Sequence, residues 1–135
     1  ENNMSNDGPT WDQLVGQCSE LGLLAKKLYV VFTTPVNGLD PIMEMLDEHL
    51  AYQKKIQVEG IMFGAGPFSD DTEQNWNGEG MIIIRAESMA AAKVIAENDP
   101  MHKTGARSYK IRPWLLNEGK ITIDLQFSNK SMEIK

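Results

Sequence analysis

His49 is one of two histidines in a chain of 135 residues, and its position suits chemistry. It follows Met45 by one helical turn and Ile42 by two, on the apolar side of a helical pattern and apart from Glu48, Lys54 and Lys55. An imidazole turned inward and oriented by a carboxylate is a competent general base near neutral pH. The same position also suits a core histidine satisfied by one hydrogen bond. Asp99 is the carboxylate to set beside it. In the last turn of a helix it would face the negative end of the dipole and want a cation or donor. Alternatively, Asp99-Pro100 is an N-cap followed by a first-turn proline, starting a short turn through Met101 and His102. His102 is the weaker candidate, expected at the surface. Two histidines and one carboxylate without local ligand spacing do not make a metal site, so no metal or other cofactor is expected.

Two further features bear on binding. Arg107 and Tyr109 alternate in an extended pattern, so they share a face that suits an anionic or aromatic ligand, or else forms a plain strand surface. The run Gly64-Ala65-Gly66-Pro67-Phe68 offers backbone N–H groups to an oxyanion, with Gly66 and Pro67 at its centre, or serves only a tight bend. It matches neither a P-loop nor a dinucleotide fingerprint. There is no Gly-x-Ser-x-Gly elbow and no cysteine beside a base, which disfavours nucleophilic hydrolysis.

The elements that must position these residues follow from periodicity. Residues 1–9 read as a loose polar arm. Thr10 and Gln13 have capping-box spacing, and Trp11, Leu14, Val15, Cys18 and Leu21 recur at helical intervals until Gly22. The polar face carries Asp12 and Glu20 rather than the basic residues of a membrane-surface helix. A first strand is expected over 28–33. A helix capped by Asp40 with Pro41 at its first position then runs through Ile42, Met45, Leu46, His49, Tyr52 and Ile56 to Gly60. A second strand, 61–65, is interrupted by Gly64, Gly66 and Pro67. A long flexible connection over 69–79, with an Asn77-Gly78 turn, leads to a third strand over 81–85, apolar enough for burial on both faces. Ser88 caps a second helix that Asp99-Pro100 ends, and a fourth strand over 106–112 stops at Pro113. Ile121, Ile123, Leu125 and Phe127 alternate with Thr122, Asp124 and Gln126, the cleanest strand signal in the chain.

A length of 135 residues with 41% hydrophobic and 24% charged side chains fits one soluble α+β core. The expected division is an arm and short helix over 1–26, a central domain over 27–114 and an extension over 115–135. No window reaches the ~18 apolar residues of a membrane span. A net charge of −6 without a basic stripe excludes nucleic acid as a partner. The single cysteine, Cys18, rules out an internal disulfide and a cysteine metal cluster. The chain opens at Glu1, which fits a processed precursor, so localisation stays open between the cytoplasm and an exported form. The order βαββαβ gives a ferredoxin-like sheet with helices on one face. Its other, apolar face is expected to meet a second copy across a two-fold axis, with the strand over 121–127 reaching over the partner or extending the sheet edge. In that topology the helices lie side by side, which lets His49 and Asp99 meet.

The segments His49-Leu50-Ala51-Tyr52, Gly64-Ala65-Gly66-Pro67-Phe68, Gly78-Glu79-Gly80, Ile83-Ile84-Arg85-Ala86-Glu87-Ser88, Asn98-Asp99-Pro100-Met101-His102 and Ile111-Arg112-Pro113-Trp114, in that order and spacing, resemble the YCII-related (YciI-like) family. The resemblance covers about Lys27 to Trp114. It implies a dimeric ferredoxin-like α+β barrel, related in architecture to muconolactone isomerase, with a His-Asp active-site pair falling on His49 and Asp99. It also implies proton abstraction or elimination on small cyclic compounds, since the family includes a dehydrochlorinase of a chlorinated hydroxyhydroquinone. The expected function is therefore a cofactor-free lyase or isomerase acting on a small cyclic oxygenated compound, with Arg107, Tyr109, Gly66, Pro67 and His102 as candidate substrate contacts. The alternative is a non-catalytic small-molecule-binding or accessory protein that docks a partner. The N-terminal helix and everything after Trp114 depart from a minimal member.

Overall fold

Alternating apolar residues and helical stripes resolve, in the computed structural model, into four strands forming one sheet, five helices and a separate hairpin across the described residues, 7–135. The arm expected over 1–9 lies outside the described residues up to position 6. Two compact units divide the chain: Lys27–Leu115 is one, and the flanks up to Lys26 and from Leu116 to Lys135 make the other.

Strands β1 (Lys26–Pro35), β2 (Met62–Pro67), β3 (Gly80–Ile84) and β4 (Arg107–Leu116), which belong to the first unit but for the end residues Lys26 and Leu116, form one sheet in the order β2-β3-β1-β4. The β1–β3 and β2–β3 pairs are antiparallel. Together with its helices this is a ferredoxin-like α+β fold. Strand alternation decides what each face buries. Val31, Ile82 and Ile84 point to the side where Ala92 and Ala96 of α4 (Met89–Glu97) complete a buried cluster. Met81 and Ile83 point to the other side and are only half-buried. The expectation that β3 is buried on both faces is thus corrected, because no helix of this unit covers the second face.

Other boundaries shift for local reasons. The long helix is two: α2 (Asp40–Glu44) and α3 (Leu46–Val58), separated where Met45 leaves helical geometry at φ −101°, ψ 8°. Asp40 sits inside the first turn and makes no side-chain cap bond, the N-cap being Leu39. β2 runs through its glycines instead of being interrupted by them. The extra residue, Phe63, is absorbed as a bulge between Met62 and Gly64. β4 continues past Pro113 to Leu116 because β4 lies at the sheet edge, where proline's missing N–H costs no ladder bond. Residues 69–79 are ordered by their own polar groups rather than loose: Asp70 N–H donates to Asn75 O at 2.8 Å, and Asp70 Oδ1 accepts from Thr72 N–H at 3.0 Å.

In the second unit, α1 (Trp11–Glu20) carries the capping box formed by Thr10 and Gln13. The amide of Asn117 donates to Cys18 Sγ at 3.3 Å, and Leu24 N–H donates to Asn117 O at 3.2 Å. The strand over 121–127 is realised as β5 (Ile123–Gln126). It pairs with β6 (Ser131–Ile134) as a hairpin of its own and does not extend the edge of the four-stranded sheet. Only Met132 and Ile134 alternate in β6, too few to stand out, whereas the alternation of β5 continues outward to Ile121 and Phe127.

Candidate functional site

Two short elements bring the pair together. His49 occupies the first turn of α3, its N–H bonded to Met45 O at 2.9 Å. Asp99 ends the α4 connection and N-caps α5 (Pro100–Lys103), accepting Met101 N–H on Oδ1 at 2.9 Å with Pro100 as the first helical residue. The two elements pack so that His49 Nδ1 lies 2.9 Å from Asp99 Oδ1 and 2.8 Å from Oδ2. Both partners are buried, at 7% and 3% exposure.

Burial alone would raise the Asp99 pKa. The hydrogen bond from His49 and its charge, with smaller help from Met101 N–H and His102, outweigh that and hold the carboxyl below its ordinary value. An ionised carboxylate only accepts, so Nδ1 carries a proton, and in the neutral imidazole Nε2 is then the nitrogen with a bare lone pair. Nε2 has no protein partner among the described residues.

His49 lines a cavity of about 390 Å³ between α3 and the β2–β3 edge. Its walls are mainly apolar: Leu46 and Leu50 from α3, Met62, Ala65 and Pro67 from β2, Met81 and Ile82 from β3, and Trp76 from the loop. Trp76 spends its indole N–H on Glu79 O at 2.8 Å and so offers only ring surface. The polar side chains on the lining are His49, Gln53, Gln57 and Arg107. Arg107, 7% exposed, donates Nε–H and Nη2–H to Gly78 O at 3.1 and 2.8 Å. Burial lowers its pKa and the Asp99 charge partly restores it. Gly78 is required there: its φ is +102°, and a Cβ would stand 2.6 Å from Pro35 Cγ. The Asn77-Gly78 turn legible in the sequence therefore sets the arginine.

Of the residues singled out from sequence, His49, Arg107, Gly66 and Pro67 share this cavity, with Asp99 directly behind His49. Gly64 and Gly66 have negative φ and open space where a Cβ would stand, so no tight bend requires them. Tyr109 and His102 line a different cavity, of about 540 Å³, which also touches Arg107. Tyr109 Oη donates to Glu97 Oε2 at 2.9 Å, and the Tyr109 and His102 rings pack at 4.7 Å. His102 is half-buried rather than on the surface. It donates Nδ1–H to Ala96 O at 2.7 Å, its Nε2 is buried without a partner among the described residues, and burial lowers its pKa. Gln53 and Trp76 were missed. Gln53 stands four residues after His49, a visible helical spacing, whereas Trp76 had only its isolation in a polar loop to mark it.

The YCII-related domain family matches residues 28–115, the span that holds both members of the pair. Among solved structures, 5-chloro-2-hydroxyhydroquinone dehydrochlorinase from Burkholderia phenoliruptrix AC1100, in complex with 2,5-dihydroxybenzoquinone, is similar in fold. Its TM-score is 0.53 at 20% sequence identity, over 64% of this chain and 92% of that one. No match was found among the curated proteins.

Proposed function

Because the chain belongs to the YCII-related domain family, we propose that it is a small-molecule lyase or isomerase in which His49 removes a proton from a small cyclic oxygenated compound. The observation that carries this reading is the buried His49–Asp99 pair, whose bare Nε2 belongs to a residue lining a largely apolar cavity. Asp99 fixes the tautomer and stabilises the imidazolium that forms. Arg107 has two N–H groups on Gly78 O and leaves Nη1 without a protein partner among the described residues, so it stands ready for the oxygen of a developing enolate. Departure of a substituent completes an elimination; return of the proton to another carbon completes an isomerisation. The fold shared with a dehydrochlorinase supports the first outcome. His49→Ala is expected to lower turnover of such a substrate by about 10²–10⁴-fold. Turnover within a few-fold of wild type overturns the general-base role.

The reading includes a pair of chains. On the sheet face without helices, Phe32, Met81, Ile83 and Trp114 border a groove of about 270 Å³, an apolar surface suited to a second copy. Light scattering at micromolar concentration is expected to give twice the chain mass and, for Trp114→Glu, a single chain. A wild-type mass of one chain removes the dimer.

The alternative, an accessory protein that docks a partner, has one observation of its own. On the hairpin, Ile123 opposes Ile134 and Leu125 opposes Met132, and all four are between 59% and 65% exposed. A two-stranded sheet with an uncovered apolar face is marginal in water and gains from being covered. Under this reading Leu125→Lys reduces the mass of the assembly; an unchanged mass rejects the hairpin as a docking surface.

A further inference from the structure

We infer that His102 is a positioning residue for Asp99: by giving its ring proton to Ala96 O it fastens the corner that carries the carboxylate and leaves His49 as the one imidazole free to donate to it. The role rests on the function proposed above and adds a residue to the same site. Ala96 O accepts two N–H groups across the α4–α5 corner, from Asp99 N at 3.2 Å and from His102 Nδ1 at 2.7 Å. The backbone of Asp99 and the ring three residues on are therefore tied to one oxygen, on a residue that is itself buried. α5 needs such a tie. A helix of four residues closes too few bonds to hold its own place. The cap between Asp99 and Met101 fixes the carboxylate only relative to that helix. Met101, fully buried and clustered with Ile42 and Ala106, anchors one side of it, and His102 anchors the side toward α4.

The same bond decides which histidine the carboxylate orients. Asp99 and His102 line a common small cavity, so both imidazoles of the chain lie within reach of the Asp99 charge. A neutral imidazole has a single N–H. That of His102 goes to Ala96 O, and its Nε2 is a buried acceptor without a partner among the described residues. His102 therefore has nothing to donate to the carboxylate and does not compete with His49, whose Nδ1 lies 2.9 and 2.8 Å from the Asp99 oxygens. Tyr109 holds the arrangement from the outer side. Its ring packs 4.7 Å from that of His102, and its Oη donates to Glu97 Oε2 of α4 at 2.9 Å. Two residues that stand outside the His49 cavity thus still bear on its base.

The test compares His102→Asn with His102→Leu in the intact chain. An asparagine amide nitrogen stands as many bonds from the backbone as histidine Nδ1, so His102→Asn can keep the donation to Ala96 O, and His102→Leu cannot. With His102 replaced, His49 is the only histidine left, and long-range proton–nitrogen correlation reads its tautomer without a substrate. Wild type and His102→Asn are expected to show His49 with a bare Nε2. In His102→Leu the ratio of bare to protonated Nε2 is expected to fall at least about tenfold, the worth of one hydrogen bond to a charged group. A merely structural role would lower the urea midpoint of His102→Leu and leave its His49 spectrum unchanged, and that result overturns the assignment. So does a His102→Asn spectrum that shifts as far as that of His102→Leu. Wild type supplies a check that needs no variant to fold: its His102 ring is expected to carry the proton on Nδ1, and a proton on Nε2 there rejects the role. None of these outcomes touches the general-base role, which stands or falls with turnover by His49→Ala.

Discussion

Asp99→Asn isolates what the carboxylate does, because it keeps the shape and changes the hydrogen-bond polarity. The asparagine oxygen can retain Met101 N–H, now held at 2.9 Å by Oδ1, so the cap of α5 survives. The amide nitrogen then faces His49 Nδ1, where Asp99 oxygens now lie at 2.8 and 2.9 Å. Since that nitrogen donates, Nδ1 must accept, the ring proton moves to Nε2, and the cavity loses its base. Replacing one charge-assisted bond is expected to cost about 1.5–3 kcal/mol of stability. The loss of general-base catalysis is expected to lower kcat by about 10²–10⁴-fold. The tautomer can be read without a substrate, by long-range proton–nitrogen correlation of the imidazoles. Only two histidines contribute. His102 donates Nδ1–H to Ala96 O at 2.7 Å, a bond the substitution does not remove, so its tautomer serves as an internal control. The expected result is one ring changing from a bare to a protonated Nε2 while the other stays as it was. A His49 ring whose Nε2 remains bare in Asp99→Asn would refute the claim that the carboxylate sets the tautomer.

Other substitutions test the support around the pair. Gly78→Ala forces a side chain into a φ of +102° and against Pro35 Cγ at 2.6 Å. It is expected to cost at least about 1–3 kcal/mol in urea unfolding and to weaken ligand binding by moving the carbonyl that holds Arg107. Unchanged stability would show that the turn relaxes freely. Thr33 is 1% exposed and its Oγ1 has no partner among the described residues. Thr33→Val removes an unpaired buried hydroxyl and is expected to raise stability by about 1 kcal/mol; a loss would reveal a hydrogen bond that the geometry lacks. His102 is held below its ordinary pKa because burial disfavours the imidazolium, with the Ala96 bond and Asp99 opposing. The unfolded chain therefore takes up the proton first as pH falls below about 6.5, and stability declines until the folded pKa is passed. Asp99 has the same sign lower down: its folded pKa is depressed, so stability present above about 3.9 is lost as pH falls through the folded value. Urea midpoints between pH 7.5 and 5 are expected to fall in wild type and to fall less in His102→Gln. A midpoint that rises with acid rejects the assignment.

The parts of the fold governed by local rules were legible. Ser88 and the Thr10–Gln13 pair act as caps as their types require, and strand alternation places Ile82 and Ile84 on the covered face. What could not be read depends on tertiary context. Pro113 ends a strand only if its N–H is needed, and that depends on β4 being an edge. The break at Met45 leaves no mark in a sequence whose apolar spacing continues across it. The loop over 69–79 is polar in composition, yet its polar groups bond one another, a distinction that residue types alone do not make.

Asp99 shows most clearly how a local rule and a site can be one thing. As a bare pattern, Asp99-Pro100 reads as a helix start, and as a charge it reads as a carboxylate in need of a donor. These looked like competing readings, but the cap is what makes the pairing possible. Accepting Met101 N–H at 2.9 Å pins Oδ1, and Pro100 fixes the backbone that follows, so the carboxylate loses the freedom to turn away from His49. The ordering of this side chain is thus carried by the helix cap and need not be drawn from the interaction with the imidazole. A histidine facing such a pre-set acceptor keeps its Nδ1 proton in place before any ligand arrives, and under the proposed function the base is then formed before the cavity fills.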